Sequence, residues 1–418
     1  MIAPASDPPL VPITANPRPL ALHLSLQTLT LLSALSALPL WKAGSLNLKD
    51  ANGKNLLADA VLPANLDEAA FTDAVTRQAI ARLIRFSDGI AKYHACPRIA
   101  RPPEPPVIWS AGSTRVMDYG VYSENAAGPP VVVIPSLINR SYILDLYDDR
   151  SLLRYLAKIG LRPLLVDWGQ PGYIEQPFGL DAYIADRLCA ILAFAQNLTS
   201  SPPAIVGYCM GGNMALALAA QNPAAVSSLA LLATPWNFHL DGNIDGHMIK
   251  MLGPALDALI AHTGELPPDV LQALFAILSP ALTGAKFRQF TDFPAGGKLA
   301  QRFTMLEDWV NDGIPLTANV ARDCLFGWYR DNTPFYGRWK INGEQIDPAQ
   351  IAIPTFLAIP SRDHIVPPQS ARALADVLPN TVMHTPDAGH IGMVVGSRAR
   401  QHLYKPLGDW LICHQTGS

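Results

Sequence analysis

Residues 203–222, PAIVGYCMGGNMALALAAQN, decide the fold of this chain. An apolar run leads into a turn with three glycines around Cys209, and an alanine-rich segment follows until Pro223. The run is typical of a buried strand, and Asn213 to Asn222 has the pattern of a helix. Glycines at such a junction let strand and helix pass closely and leave the central residue in an unusual backbone conformation. The stretch therefore predicts a nucleophile turn with Cys209 at its tip, where a helix N-terminus favours a thiolate.

The alternation of strand and helix continues on both sides of this turn. Apolar runs of strand length recur at residues 131–136, 161–169, 228–234, 354–361 and 380–386. Short strands that alternate with helices indicate a mostly parallel α/β sheet. Between residues 235 and 350 the alternation stops, and helix-like, proline-rich and aromatic stretches such as LFGWYRDNTPFYGRW take its place. We expect this block to be a cap inserted before the strand at 354–361.

The N-terminal part of the chain has a different pattern. Residues 64–96 repeat apolar side chains every three to four positions, which predicts a helix. The segment 97–106, PRIARPPEPP, carries five prolines in ten positions and indicates a stiff, extended linker. We therefore expect a mostly helical N-terminal region with its linker over residues 1–105 and a catalytic α/β domain over residues 106–418, with the cap at about 235–350.

One apolar stretch, residues 20–41, is long enough to span a membrane. His23, Gln27 and several hydroxyl residues interrupt it, and we expect Pro39 to break its last turn. Only Arg18 precedes the stretch and no small-residue cleavage site follows it, unlike the arrangement in a signal peptide. We expect a packed or interfacial helix of a cytoplasmic protein, with an export signal or a membrane anchor as the alternative.

Composition excludes several classes of protein. The chain has 418 residues, of which 49% are hydrophobic and 16% charged, with a net charge of −3 and no block of basic residues. A nucleic-acid binder needs a basic stripe, and a disordered chain needs lower hydrophobicity, so both classes are excluded. The five cysteines are scattered, which predicts neither a disulfide framework nor a zinc site and favours the reducing cytoplasm. No metal-ligand spacing, phosphate loop or dinucleotide fingerprint is present, so we expect no bound cofactor and no metal.

Two residues downstream complete a predicted catalytic triad. Asp363 follows the strand at 354–361, and His390 lies in the loop after the strand at 380–386. Nucleophile, acid and histidine in this chain order are typical of the α/β-hydrolase fold. In this interpretation His390 takes the thiol proton and Asp363 holds the imidazole in the correct tautomer. The turn alone is compatible with a buried cysteine that only packs, and the two downstream residues favour catalysis.

Three other residues compete for the roles of base and acid. His364 adjoins Asp363 in sequence, so its side chain is expected to point elsewhere. His384 lies inside a strand, where a packing role is the simpler expectation. Asp387 lies three residues before His390 and is the alternative acid.

Backbone amides near the turn are candidates for an oxyanion site. The amide of Met210, directly after the nucleophile, is placed to receive a developing oxyanion. The loop after residues 131–136 offers a second amide, from Leu137 or Ile138. Asp167 ends a strand near the same edge of the sheet, and a structural role is expected for it.

From roughly residue 88 to its end the chain resembles the polyhydroxyalkanoate synthases. GYCMGG at 207–212 is similar to their lipase-like box, in which cysteine replaces serine. The segments IPSLINRSYILDL (134–146), WVNDGIPL (309–316), DHIVPP (363–368) and GHIGMVVGS (389–397) also follow the family. The resemblance implies that the family's catalytic Cys, Asp and His fall on Cys209, Asp363 and His390.

The same resemblance extends to residues whose role it leaves open. Asn139, Tyr142 and Asp145 match the family's segment after the third strand, and stabilising that loop is the other explanation for them.

The resemblance implies an acyltransferase that polymerises 3-hydroxyacyl-CoA into polyester, with release of CoA, at the surface of polymer granules in the cytoplasm. In length the chain is nearest the short synthases, similar to the class III catalytic subunit, so the expected partners are a second copy or a second synthase subunit. An intracellular polyester depolymerase or a thioesterase with the same triad is the alternative, and a non-catalytic granule protein is the third hypothesis. The pair Gly211-Gly212 in the box favours the synthase.

Overall fold

From residue 107 the chain alternates between strands and helices, in the order that the sequence predicts. The structure, a computed structural model, describes residues 16–43, 67–124, 128–199, 201–240 and 246–415. The strands in these ranges are β1 (Val107–Ala111), β2 (Thr114–Asp118), β3 (Pro130–Ile134), β4 (Arg162–Asp167), β5 (Ala204–Tyr208), β6 (Ser228–Leu232), β7 (Glu265–Leu266), β8 (Leu316–Thr317), β9 (Lys340–Ile341), β10 (Glu344–Gln345), β11 (Thr355–Ala358) and β12 (Thr381–His384).

Helices connect these strands and also form the N-terminal part. The α-helices are α1 (Leu20–Lys42), α2 (Glu68–Ala95), α3 (Leu152–Lys158), α4 (Cys189–Thr199), α5 (Met210–Gln221), α6 (Gly246–Thr263), α7 (Pro268–Leu278), α8 (Leu282–Phe290), α9 (Lys298–Asn311), α10 (Ala318–Arg322), α11 (Pro368–Ala375), α12 (Gly392–Val395) and α13 (Lys405–Gln415). Segments of π-helix occupy Ala182–Leu188, Asp323–Arg330 and Arg400–Tyr404. Single 3-10 turns lie at Tyr119–Tyr122, Ser141–Asp145, Pro223–Ala225 and Pro348–Gln350.

Within the described residues, eight strands form one sheet in the order β1-β2-β4-β3-β5-β6-β11-β12. The pairs β1/β2 and β2/β4 are antiparallel, and the other pairs of this sheet are parallel. Every residue of β3, β5 and β6 is buried, because helices cover both faces of a parallel sheet. The α/β-hydrolase fold expected from the sequence is confirmed.

The direction of the strands positions the candidate site. Cys209 follows β5, Asp363 lies beyond the end of β11, and His390 lies beyond the end of β12. The pairs β5/β6, β6/β11 and β11/β12 are all parallel, so β5, β11 and β12 run in the same direction. Their carboxyl ends therefore lie at one edge of the sheet. Ligand and catalytic sites of open α/β sheets form at this edge.

The chain divides into two compact units. One comprises Met1–Arg98 and Ser279–Asn311, and the other comprises Ile99–Leu278 and Asp312–Ser418. The first break lies inside the proline-rich segment 97–106, while the full domain limits stay a prediction. The expected cap, residues 235–350, is not one unit in this division, because residues 279–311 group with the N-terminal helices.

Aromatic packing explains why residues 279–311 join the N-terminal helices. Phe86 and Tyr93 of α2 are fully buried, and both rings contact Phe287 of α8 edge to face, at 6.1 and 5.7 Å between centroids. Phe290 of α8 stacks on Phe303 of α9 at 4.1 Å. These rings form a separate hydrophobic cluster, which a sequence pattern of helical spacing does not reveal.

Two helix boundaries differ from the expectations. The helix after the turn begins at Met210 instead of Asn213, because Cys209 itself serves as its N-cap residue. Helix α1 continues through Pro39 to Lys42, whereas Pro39 was expected to break it. Proline removes only its own amide donor, and the amide of Ala43 still donates to the carbonyl of Pro39 at 3.0 Å.

Candidate active site

Cys209 lies at the tip of a tight turn between β5 and α5. Its backbone has φ 55° and ψ −127°, a left-handed conformation that a residue with a side chain rarely adopts. The backbone is held there from both sides, since the amide of Cys209 donates to the carbonyl of Leu232 at 2.8 Å and its carbonyl accepts from Gly212 at 2.9 Å. The half-buried side chain is therefore presented at the edge of the sheet.

Two glycines make this turn sterically possible. A Cβ atom on Gly211 would collide with the backbone carbonyl of Ile134, at the end of β3. A Cβ atom on Gly207 would lie 2.5 Å from the Cα of Gly212. The glycines therefore set the close approach of α5 to the sheet, as the box predicts.

His390 and Asp363 form a buried pair beside the turn. Their residues are 7% and 4% exposed, and Nδ1 of His390 lies 2.7 Å from Oδ2 of Asp363. A carboxylate can only accept, so Nδ1 donates and carries a proton. The other oxygen of Asp363 accepts from the backbone amides of Ile365 and Val366, both at 2.9 Å, which fixes the carboxylate.

The sulfur of Cys209 lies near enough to the imidazole to contribute to the pKa of His390. The structure thus brings Cys209 close to the hydrogen-bonded pair of His390 and Asp363. Burial by itself lowers the pKa of His390, but the negative charges of Asp363 and Cys209 and hydrogen bonds to both raise that pKa to about 10. The ring consequently keeps its proton at neutral pH beside the sulfur, the arrangement in which an imidazole activates a neighbouring cysteine.

Two tyrosines that sequence reasoning missed flank the sulfur and the imidazole. The ring of Tyr208 lies 5.2 Å from that of His390, and its hydroxyl donates to the carbonyl of His390 at 3.3 Å. Burial, and then the charges of Cys209 and Asp363, raise the pKa of Tyr208 well above its ordinary value. Its position next to the cysteine in the box was the available signal.

The second tyrosine, Tyr329, belongs to the aromatic block of the expected cap. Burial, followed by the charges of Cys209 and Cys324, raises its pKa, so the phenol lies within electrostatic range of the sulfur. Its ring contacts Phe238 edge to face at 5.0 Å. Only the density of aromatic residues near Tyr329 could have suggested it from the sequence.

The two candidate oxyanion amides lie on neighbouring segments. Met210 is the first residue of α5, so its amide has no carbonyl partner four residues earlier in the helix. The amide of Ile138 donates to the hydroxyl of Ser136 at 3.1 Å, which favours Leu137 of the two residues considered for the second donor. The contact of Gly211 with the end of β3 places this loop beside the turn.

The competing histidines and the competing acid lie elsewhere. His364 is exposed, and Nε2 of His384 lies 2.5 Å from the carbonyl of His402 while its ring stacks on Phe356. Asp387 is exposed and forms ion pairs with two arginines, Arg362 at 2.9 Å and Arg398 at 3.0 Å.

Acidic residues near the same edge are paired with arginines. Asp167 accepts from Arg115 at 2.6 Å and from the hydroxyl of Ser141 at 3.1 Å. Asp145 accepts from Arg154 at 2.8 Å and is buried. Both carboxylates therefore have structural partners.

The other residues of that loop make contacts outside the triad. The hydroxyl of Tyr142 donates to Asp312 at 3.1 Å, and Asn139 forms a backbone bridge with Gly313. These contacts tie the loop to the segment 312–314 and account for Tyr142 and Asn139 as loop-stabilising residues.

The remaining cysteines lie apart from the turn. All five cysteines of the chain are free thiols: Cys96, Cys189, Cys209, Cys324 and Cys413. Cys96 and Cys324 are buried, and burial raises the pKa of Cys324 well above its ordinary value. A buried thiol with a raised pKa is unreactive and acts as a small apolar residue.

The sheet, the strained turn and the order of the three side chains define the class of protein as an α/β hydrolase. A model of the "alpha/beta hydrolase fold" matches residues 129–397, and one of the "Poly-beta-hydroxybutyrate polymerase (PhaC) N-terminus" matches residues 99–156. The chain therefore belongs to the α/β-hydrolase family, and within it the chain is similar to the polyhydroxyalkanoate synthases.

Curated relatives carry the name "Poly(3-hydroxyalkanoate) polymerase subunit PhaC". The protein of Haloferax mediterranei is 26% identical over 73% of this chain and 63% of its own length. That of Haloarcula marismortui is 27% identical over 71% of this chain and 64% of its own length. That of Allochromatium vinosum is 27% identical over 68% of this chain and 80% of its own length. The chain thus covers less than two thirds of the first two relatives.

Proposed function

We propose that this protein is a polyhydroxyalkanoate synthase, which transfers 3-hydroxyacyl groups from CoA to a growing polyester through a thioester on Cys209. The observation that carries the proposal is the buried imidazole of His390, which pairs with Asp363 and lies within electrostatic range of the sulfur at a strained turn. Similarity to the polyhydroxyalkanoate synthases supports the same assignment.

In the first half-reaction the sulfur of Cys209 attacks the carbonyl carbon of the acyl-CoA thioester. The new carbon–sulfur bond forms, the bond to the CoA sulfur breaks, and His390 delivers its proton to the departing thiolate. The amides of Met210 and Leu137 stabilise the oxyanion of the tetrahedral intermediate. One thioester replaces another, so little acyl-transfer potential is lost.

In the second half-reaction a hydroxyl group attacks the carbonyl carbon of the thioester on Cys209. His390, now neutral, takes the hydroxyl proton as the oxygen bonds to the acyl carbon, and the sulfur leaves as the thiolate that pairs again with the protonated ring. An ester replaces a thioester, which is favourable. Asp363 keeps the ring oriented in both halves, as the fixed carboxylate of a triad does.

Exclusion of water decides between polymer and hydrolysis. A water molecule in place of the hydroxyl would give a free acid, the reaction of a depolymerase or thioesterase. Both His390 and Asp363 are almost fully buried, and the ring of Tyr208 lies beside that of His390. The phenol of Tyr329, whose ring contacts Phe238, lies within electrostatic range of the sulfur. A dry, aromatic environment favours transfer to the organic hydroxyl over transfer to water.

Helix α1 is the element that we assign to the surface of the polyester granule. It contains a stretch, Leu20–Ala37, that is long and apolar enough to cross a membrane and that is 6% buried. One such helix near an N-terminus is weak evidence for a membrane span, because other helices pass the same test. On α1 the polar His23 and Gln27 are buried, whereas Leu29 and Leu32 are 58% and 53% exposed.

Three of the hydroxyl groups on the exposed side of α1 are bonded to the helix itself. Those of Thr28, Thr30 and Ser36 donate to backbone carbonyls four residues earlier, at 2.9, 2.7 and 2.7 Å. From Leu20 to Ala37 the helix has no Asp, Glu, Lys or Arg and it exposes leucines, which suits contact with a water-insoluble polyester. We extend the proposal to a cytoplasmic enzyme that binds the granule through α1, with a second copy or a second synthase subunit as its protein partner.

The test of the proposal is a CoA-release assay with 3-hydroxybutyryl-CoA, combined with sizing of the product. Wild type is expected to release CoA and form polymer, and Cys209→Ala is expected to do neither. Release of CoA with free 3-hydroxybutyrate would identify a hydrolase instead. Identical behaviour of wild type and Cys209→Ala would identify a non-catalytic protein. The assay is run first with the purified chain alone and then with an added synthase subunit. Activity only in the second case would reveal a required partner.

A further inference from the structure

A groove with a cationic end lies between α6 and the π-helical segment Asp323–Arg330. Its volume is about 690 Å³, within the range of small-molecule sites. The residues that line it are Lys250, Gly253, Pro254, Asp257, Arg322, Phe326, Arg330 and Asp331. The floor is apolar and the rims are charged, a combination that suits a ligand with both a ring and anionic groups.

The two helical segments run in opposite directions along the groove. The Cβ position of Gly253 lies 3.6 Å from the ring of Phe326 at the centre, and Arg322 pairs with Asp257 at 2.7 Å at one end. Lys250 precedes Asp257 by seven residues, two helical turns, and therefore lies at the other end, near Arg330.

Positive charge accumulates at the Arg330 end. Arg330 pairs with Asp331 at 2.8 Å and lies over the ring of Phe326 at 5.0 Å. Arg338 donates to the carbonyl of Asp331, and among the described residues no carboxylate pairs with Lys250, which is exposed. At this end two exposed cations that line the groove, Lys250 and Arg330, face the single carboxylate of Asp331, and Arg338 lies beside Asp331, so positive charge exceeds negative charge there.

One helical segment contributes both to the groove and to the surroundings of the nucleophile. Tyr329, the residue before Arg330, has its phenol within electrostatic range of Cys209. Arg330 lines the groove, and successive residues of a helix point in directions about 100° apart, so Tyr329 and Arg330 leave this segment in different directions.

We propose that this groove binds the phosphorylated nucleotide end of the CoA substrate while the pantetheine arm carries the thioester to Cys209. The inference rests on the proposed function. Lys250, Arg330 and Arg338 supply donors for the phosphates, and Phe326 with the guanidinium of Arg330 supplies a surface for the adenine ring. The site around Cys209 is aromatic and buried, so a substrate with several phosphates needs its charged end held outside that site.

The test compares two thioesters with the same acyl group, 3-hydroxybutyryl-CoA and 3-hydroxybutyryl-pantetheine, which lacks the phosphates and the nucleotide. For Lys250→Glu the ratio of kcat/KM for the CoA thioester to kcat/KM for the pantetheine thioester is expected to fall about tenfold relative to wild type. Lys158→Glu, the same charge change at an exposed position on α3, is the matched control and should keep the wild-type ratio. An unchanged ratio in Lys250→Glu would overturn the inference.

A binding measurement separates this inference from the proposed function. Calorimetric titration of CoA into Cys209→Ala protein should show binding that weakens with salt and that the added change Lys250→Glu weakens by about tenfold. If wild type turns over neither thioester, with or without an added synthase subunit, the proposed function fails, and this titration alone decides the groove. Absence of CoA binding, or binding that ignores Lys250→Glu, refutes the groove in either case.

Discussion

Helices α1 and α5 are both apolar, yet the protein uses them in opposite ways. Residues 210–219 of α5 are all buried, and the helix presents Cys209 at its N-terminus. Helix α1 buries its two polar residues, His23 and Gln27, and exposes leucines. In α1 the side-chain oxygen Oε1 of Gln27 accepts a hydrogen bond from Arg288 at 2.7 Å, and the same side chain packs against Gly284. The polar side of α1 is therefore its packed side. Hydropathy alone would suggest burial of both helices, but only α5 is buried.

The buried region should respond most strongly to a change in the triad. Asp363→Asn removes the acceptor that fixes the proton on Nδ1 of His390, so we expect CoA release to fall by about 10³–10⁴-fold. The polypeptide should still fold, because the amide oxygen of asparagine retains an acceptor for the backbone amides of Ile365 and Val366. Steady-state CoA release and a thermal melt measure both effects, and near-normal turnover would exclude Asp363 as the acid.

Matched leucine substitutions test the contrast in burial directly. Leu216 of α5 is fully buried, so Leu216→Ala should lower the free energy of unfolding by about 2–5 kcal/mol. Leu29 of α1 is 58% exposed, so Leu29→Ala should change it by no more than about 0.5 kcal/mol. Chemical denaturation of both variants gives the comparison. Equal losses would mean that the exposed face of α1 is packed in the native protein.

A charge on the exposed face of α1 should weaken binding to polyester. The double variant Leu29→Glu/Leu32→Glu is expected to reduce co-sedimentation with amorphous polyhydroxybutyrate particles at least about tenfold, because apolar contact is lost. Ile80→Glu/Ile84→Glu is the matched control, since these α2 residues are 43% and 54% exposed. An equal loss in the control would show that added negative charge, and not the α1 face, governs the binding.

The pH dependence of stability should reveal the environment of His390. The pKa of His390 is raised from 6.5 to about 10 in the folded protein, so its ion pairs stabilise the fold fully below pH 6.5. This contribution is lost as the pH rises through about 10. The difference in unfolding free energy between wild type and His390→Gln should therefore shrink from pH 6.5 to pH 10. A difference that grows over this range contradicts the proposed ion pairs.

The sequence was sufficient for the sheet and for the three central residues of the site. Strand and helix periods are local properties, and the box around Cys209 together with the positions of Asp363 and His390 at strand ends follows from chain order. Tyr329 and the grouping of residues 279–311 were not predictable in this way. Each depends on which distant side chains share a cluster, as Phe287 does with Phe86, and no local pattern encodes such a pairing.

The roles of the two oxyanion amides and the absence of a resident cofactor stay predictions. Leu137 is the predicted second donor, and the bond from the amide of Ile138 to Ser136 supports that choice over Ile138. The continuation of α1 through Pro39 likewise depends on the hydrogen bonds around that residue, which a rule about proline alone does not predict.

The most direct measurement of the central claim is the mass of the protein after a rapid acid quench with 3-hydroxybutyryl-CoA. The account predicts a 3-hydroxyacyl adduct that peptide mapping places on Cys209, formed in wild type and absent from Cys209→Ala. The adduct should form together with an equivalent amount of free CoA. CoA release with no adduct on Cys209, or an adduct that persists in Cys209→Ala, would contradict it.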